Sequence, residues 1–404
     1  MQRKLLTNGN IHKRTDGRWN GVIWYRDEEG TRQRKSFCGN TKAEVKAKIT
    51  EYIAVFREQA DLEKVSNQRL SQAMQEWLEV FKFPSVRRVT YDRDEQVFNM
   101  QIKPALGKKV VSDITAADIK KMMTDLANKG YSYSTMKQAY GLLRMFFRYL
   151  EGEELILKNP MKNVIVPNKA SYLASQGKEY KPTCETVVIF TPDEIEKMKT
   201  EIYKTYGNGV KVHSLATAFI LMLNTGLRTG EALGLRNCDI DLENKVLHVN
   251  QAVKEVNRRD GSKKLSGKEV VVGPPKSGTS KRTVPLNEAA INAINTIREE
   301  RFFGEDAPLI CDLNGYYISP NQLRKRFYRV LEGAGLEQRG LHALRHTFAT
   351  TLINGIRQED GTLKSLSVKQ VADILGHTTS EVTEMYYVKK DTSRLVGMTD
   401  GFEI

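Results

Sequence analysis

The chain has 404 residues, and 63 lysines and arginines against 49 aspartates and glutamates give a net charge of +14. Such an excess argues for a polyanionic partner, nucleic acid ahead of an anionic membrane surface. Cys38, Cys184, Cys238 and Cys311 form no CxxC pair, which argues against a zinc ribbon or redox couple and suits a reducing compartment. There is neither an apolar leader nor a run of about 18 apolar residues, so the expected location is cytoplasmic, with no membrane partner.

Residues 1–65 read as a small sheet backed by one helix. NIHKR, RWNGVIWYRD and TRQRKSFCG are three short strands, joined by turn sequences containing TDG and DEEG. Thr41 with Glu44 forms a capping box for the helix that follows. Arg14, Arg18, Arg26, Arg32, Arg34 and Lys35 are expected on the exposed face of the sheet, where a basic ribbon suits a DNA major groove. Residues 66–165 carry four segments with apolar residues at helical spacing, and Pro104 with Gly107 is expected to break the second. Basic residues including Arg87, Arg88 and Lys137 punctuate their polar faces. Residues 166–187 lack a period and suit an extended basic linker.

Residues 188–404 form the largest unit. It opens on a capping box at Thr191 and Glu194 and continues into LATAFILMLNTG, a buried helix ending at Gly226. CDIDLENKVLHVNQAVKEV, KEVVVGPP and KRTVPL are expected to form one small antiparallel sheet, after which helices resume. The fold class is therefore α+β and multidomain.

The residues able to do chemistry lie in this last unit. His342 and His346 stand one helical turn apart, which is zinc-like spacing. The metalloprotease pattern needs a glutamate where Ala343 sits, and Arg345 would set a cation beside the metal, so no metal is expected. As anion binders the same stretches make more sense. Arg228 follows Gly226 at a turn entering a helix, Glu231 can orient it, and Arg345 lies three residues after His342. The planar guanidinium grips phosphate oxygens in pairs. Lys276, at the expected tip of a hairpin, could protonate a leaving hydroxyl, while Lys281 and Arg282 would touch backbone phosphates. A tyrosine nucleophile needs such help, because a phenol ionises only near pH 10. Two candidates, Tyr386 and Tyr387, follow His377.

Three boxes, NTGLRTGEALGL, GLHALRHTFAT and LGHTTSEVTEMYY, resemble those of tyrosine recombinases of the phage integrase family, particularly integrases of conjugative transposons. The resemblance implies an all-helical core-binding domain over 66–165, an arm-binding sheet-plus-helix domain over 1–65, a linker over 166–187 and a catalytic domain with its tail over 188–404. By the same resemblance Arg228 and Arg345 would bind the scissile phosphate, and Lys276 would protonate the 5′ oxygen. His342 would assist proton transfer, His377 would contact the phosphate and Glu231 would orient Arg228. The T-x-x-Y pattern ending at Tyr386 selects it as nucleophile; family members with one more residue in this segment would select Tyr387.

The implied reaction integrates and excises a mobile element, a conjugative transposon or a prophage, through a 3′-phosphotyrosyl link and a Holliday junction, without metal, nucleotide or other cofactor. Its partners would be double-stranded core-type and arm-type sites, a tetramer of the chain, an excisionase and a host DNA-bending factor. Helices such as STMKQAYGLLRMFFRYL and NQLRKRFYRVL, the latter with Arg324 and Lys325, would read sequence. The alternatives are a non-catalytic DNA-binding regulator and a type IB-like relaxing enzyme. The first leaves Arg228, His342, Arg345 and the tyrosine unexplained; the second does not need residues 1–65.

Overall fold

The computed structural model describes residues 4–27, 31–182, 186–275, 281–357 and 361–387, the side chains of 4, 57–64, 66 and 382 excepted. The chain divides into two compact units, Met1–Tyr180 and Lys181–Ile404. None of the described helices is long and apolar enough to cross a membrane.

The first unit begins with an antiparallel sheet. Strand β3 (Trp19–Arg26) is central. β4 (Arg32–Gly39) pairs along one edge; β1 (Lys4–Leu5) and β2 (Asn10–Lys13) share the other, end to end. Ile23 packs on Val45 and Ile49 of helix α1 (Lys42–Ser66), so alternate residues of β3 face the helix. Trp24, Arg32 and Arg34 therefore fall on the other face. The Arg32 guanidinium lies 4.3 Å from the Trp24 ring centroid and that of Arg34 lies 5.9 Å away. Lys35 pairs with Ile23 in register, which puts it on the helix side of the pleat, contrary to the sequence expectation. Arg14 and Arg18 bracket Asp16 in the β2–β3 turn at 3.5 and 3.7 Å.

A separate core gathers the helices α2 (Leu70–Trp77), α3 (Arg88–Val97), α4 (Ala116–Asn128) and α5 (Tyr133–Gly152). The second segment ends at Gly107, as expected, but Pro104 itself does not interrupt the helix. A π-turn over Phe98–Ile102 runs directly into Lys103–Leu106, and another over Leu78–Lys82 precedes Pro84 in the same way. Proline lacks an N–H and crowds the preceding turn, and widening that turn lets the helix pass through. The segment expected to be a linker is anchored in its first half. Asn168 caps a short helix, Lys169–Ala174, and Tyr172 is buried with its hydroxyl donating to Tyr131 O at 2.9 Å.

The second unit is built around α7 (Thr217–Thr225), buried at every position but Asn224, as its nearly unbroken apolar sequence requires. Helix α6 (Pro192–Ile202) carries the capping box read at Thr191. The strands expected between Cys238 and Leu286 fall in two sheets, not one. β5 (Ile240–Asp241), β6 (Val246–Val249) and β9 (Arg282–Pro285) make a three-stranded sheet; β7 (Ala252–Asp260) and β8 (Lys263–Gly273) make a long hairpin. The hairpin turns at Gly261 and Ser262, whereas β8 and β9 belong to different sheets. β8 and β9 are therefore not partners of each other, and Lys276, expected at a hairpin tip between them, lies outside the described residues. α8 (Thr229–Gly234) follows α7, and the remaining helices are α9 (Glu288–Glu300), α10 (Pro320–Gly333), α11 (His342–Asn354), α12 (Val368–Leu375) and α13 (Ser380–Tyr387).

Candidate active site

Four chain segments converge here: the α7–α8 turn, the start of β9, the first turns of α11 and the stretch from His377 through α13. The α7–α8 turn depends on Gly226, at φ +62°; a Cβ there would stand 2.4 Å from the Phe348 ring. Only glycine meets both demands. Two residues on, Arg228 caps α8. Its N–H donates to Glu231 Oε2 at 3.0 Å and its Nη1 donates to Oε1 at 2.7 Å.

Glu231 is 4% exposed and takes a second cation, Arg282, at 3.0 Å. Burial alone would raise its carboxyl, but Arg282 and Arg228 outweigh that and hold its pKa below the ordinary carboxylate value. The Arg282 side chain is 6% exposed and also donates through Nε to Ile374 O at 2.6 Å. It is turned into the protein rather than toward a DNA backbone. Neighbouring Lys281 is exposed.

Arg345 is 1% exposed. Nη1 donates to Gly226 O at 2.7 Å; Nη2 donates to Leu375 O at 2.8 Å and meets His377 Nε2 at 3.0 Å. Burial, followed by the charge of Arg228, pulls its pKa down to about 9. A guanidinium can only donate, so His377 Nε2 accepts. The neutral ring then carries its proton on Nδ1 and donates to Thr383 Oγ1 at 2.8 Å. Thr383 is fully buried. Burial, then Arg345 and Arg228, depress the His377 pKa to about 4, consistent with that neutral state. In this geometry His377 steers Arg345 and has no Nε2 proton to offer an anion.

His342 opens α11. The residue is exposed, yet the protein packed around it withdraws water from the charged form, and His346 and Arg345 add positive charge. Its pKa falls to about 4. His346, one turn on, meets the Tyr387 hydroxyl with Nδ1 at 2.7 Å. Tyr387 is 7% exposed, and burial raises its phenol to about 12 against the opposing pull of Arg345 and Arg228. Tyr386 is half-buried and stacks on His346 with centroids 5.8 Å apart and 18° between planes.

The structure thus gathers Arg228, Glu231, His342, Arg345, His377 and both tyrosines. Arg87, Lys137, Arg324 and Lys325 lie exposed on helices or at their ends, and Arg88 is half-buried. Sequence reading overlooked three parts. Thr383 served only to set the tyrosine register, yet it fixes the His377 tautomer. Arg282, expected on backbone phosphates, instead bonds Glu231 and Ile374 O, and His346, read only for its spacing from His342, meets the Tyr387 hydroxyl.

The phage integrase family model matches residues 189–394, and that of the N-terminal SAM-like domain of phage integrases matches 69–127. A tyrosine recombinase XerC-like protein of Caldanaerobacter subterraneus subsp. tengcongensis is 30% identical over 96% of this chain and 99% of its own length. The chain belongs to the phage integrase family of tyrosine recombinases. The transposase from transposon Tn916 of Enterococcus faecalis is 22% identical over 75% of this chain and 70% of its own. Among solved structures, the fold is similar to that of the Tn1549 transposon integrase in complex with a circular intermediate DNA. That match has a TM-score of 0.62 and 22% identity, covering 81% of this chain and 98% of that one. It is also similar to a lambda integrase tetramer bound to a Holliday junction, with a TM-score of 0.53 and 17% identity, covering 95% and 98%.

Proposed function

We propose that this enzyme is the site-specific recombinase of a mobile element, that Tyr387 is its nucleophile, and that Arg228 and Arg345 bind the scissile phosphate. The observation that carries the reading is the environment of the Tyr387 hydroxyl: it is bonded to His346 and lies in the field of Arg345 and Arg228. The T-x-x-Y pattern favours Tyr386; the contacts favour its neighbour. Tyr387 would attack a DNA phosphorus, forming a 3′-phosphotyrosyl bond and releasing a 5′ hydroxyl. The two arginines would neutralise charge on the non-bridging oxygens, a contribution of about 3–4 kcal/mol for a removed donor in comparable sites. Lys276 is proposed, from sequence alone, to protonate the 5′ oxygen.

The 5′ hydroxyl would then attack the phosphotyrosyl link on a partner duplex. Two such exchanges would recombine the sites by way of a Holliday junction. That course needs four copies of the chain on DNA, and the lambda integrase tetramer on such a junction supports it by analogy. The transposase of Tn916 and the Tn1549 integrase support a transposon as the element. We assign arm-type DNA binding to residues 1–65, core-type binding to 66–165, the connection to 166–187 and chemistry to 188–404. An excisionase and a host bending factor complete the proposed partners.

Nicked duplexes from the ends of the encoding element, mixed with enzyme and run on a denaturing gel, test the reading. The covalent adduct is expected with wild type and Tyr386→Phe and to be absent with Tyr387→Phe. Loss in Tyr386→Phe alone would return the nucleophile to the sequence-derived register. No adduct on DNA that the protein demonstrably binds would favour a non-catalytic regulator.

A further inference from the structure

The His346 ring is enclosed by three others. His342 meets it edge-on at 4.9 Å, Tyr386 stacks along one face at 5.8 Å, and the Tyr387 ring lies 5.5 Å away at 57°. These neighbours hold Nδ1 toward the Tyr387 hydroxyl at 2.7 Å. A side chain that only filled space would not need a nitrogen at that point. We propose that His346 is the proton acceptor of the cleavage step, taking the Tyr387 proton on Nδ1 as the phenolic oxygen attacks phosphorus, and returning it when the bond is reversed. The inference rests on Tyr387 being the nucleophile.

The step balances. The Tyr387 O–H bond breaks and its proton passes to Nδ1. The oxygen–phosphorus bond forms, the bond from phosphorus to the 5′ oxygen breaks, and that oxygen takes a proton from a separate acid. On rejoining, the 5′ hydroxyl attacks, the phenolate leaves, and the His346 imidazolium reprotonates it. Tyr386, lying parallel to the imidazole, gains a role distinct from nucleophile: its ring face stabilises the transient cation.

The charges around His346 favour an empty acceptor at rest. From its own helix His342 and Arg345 face it, and from α13 Tyr386 and Tyr387. The packed helix α7 carries no ionisable side chain, and α12 presents the exposed Lys369 and Asp373. Burial, then Arg345, lowers the His346 pKa below 6.5. The ring is therefore neutral at physiological pH and receives the proton only as the phenol becomes acidic in the transition state.

Single-turnover adduct formation on a nicked duplex, followed between about pH 5.5 and pH 9, tests this. Wild type is expected to show a rate that is level above about pH 6.5 and falls below it. His346→Asn keeps a side-chain oxygen near Nδ1 but cannot take a proton. It should be about a hundredfold slower or more at neutral pH, with a rate climbing about tenfold per pH unit as solvent hydroxide substitutes. A purely positioning role would leave the Asn variant within a few-fold of wild type with an unchanged profile, and that result overturns the proposal. If the Asn variant does not fold, the wild-type profile decides, because a steady climb through pH 9 excludes an internal acceptor. Tyr387→Phe run alongside separates the two readings. An adduct that survives it removes the nucleophile assignment, whereas no adduct there with a fast Asn variant removes only the role of His346.

Discussion

On the outward face of β3 and β4, Arg32 and Arg34 lean on Trp24 in open water; in the second unit Arg345 and Arg282 are wrapped in carbonyl oxygens and a carboxylate. The exposed pair gains about 0.5–1 kcal/mol from the aromatic face and keeps its hydration until an anion arrives. The buried pair gave up water during folding. Burying an unpaired guanidinium would cost several kcal/mol, and each protein acceptor offsets part of that cost. As the proposed phosphate binder, Arg345 would meet its anion already desolvated and aimed, with three of its five N–H donors committed to the protein. Exposed arginines supply affinity that salt can remove, while buried ones supply geometry that salt barely reaches.

The largest effect is expected at Arg345. Arg345→Lys keeps a charge but loses the fork, leaving acceptors among Gly226 O, Leu375 O and His377 Nε2 unsatisfied. Adduct formation should drop about 10²–10³-fold, and unfolding free energy should fall by about 1–3 kcal/mol per orphaned group. Parallel gel assays and denaturant titration check both effects. Wild-type activity from the lysine form would mean that charge alone suffices. Glu231→Gln comes next. It removes the charge shared by Arg228 and Arg282, and adduct formation should fall about tenfold to a hundredfold with DNA binding little changed.

Titration sharpens the same contrast. His342 and His377 have folded pKa values of about 4 against an ordinary 6.5. Their neutral state stabilises the fold fully above about pH 6.5, and that contribution is lost as pH falls toward 4, because the unfolded chain takes up the protons first. Equilibrium unfolding measured at steps across this window should show the loss, and His377→Asn should shrink it. A smaller effect is expected from Thr383→Val, which removes the acceptor of the His377 Nδ1 proton while keeping shape. Stability should drop by about 1 kcal/mol and adduct formation by about tenfold or less, as the ring loses its fixed tautomer. Smallest for the fold is Arg34→Ala, within about 0.5 kcal/mol of wild type. Its signature is a salt dependence of binding to arm-type DNA that is shallower by about one unit of slope. An unchanged slope would show that this face does not meet DNA.

Turns and caps were legible in the sequence because they depend on residues close together in the chain. Thr191 with Glu194 caps its helix as read, and Gly226 ends its helix where a left-handed residue was needed. Arg228, His342, Arg345 and His377 were legible as candidates from the three boxes. The strand partners were not, since β6 pairs with β9 across the whole β7–β8 hairpin, a choice made by long-range packing.

By itself, then, the sequence determined the α+β class, the basic character, the family and the candidate site residues that the structure gathers, all of which reside in composition, local periodicity and short boxes. Only the tertiary structure decided how those side chains are used. Adjacent residues on a helix point about 100° apart, so no pattern of letters tells which of Tyr386 and Tyr387 turns toward the arginines; the packing of α13 against α11 does. The inward turn of Arg282 onto Glu231 was equally hidden. Whether an arginine faces water or a buried carboxylate depends on residues far off in sequence, brought within hydrogen-bond reach only when the core closes.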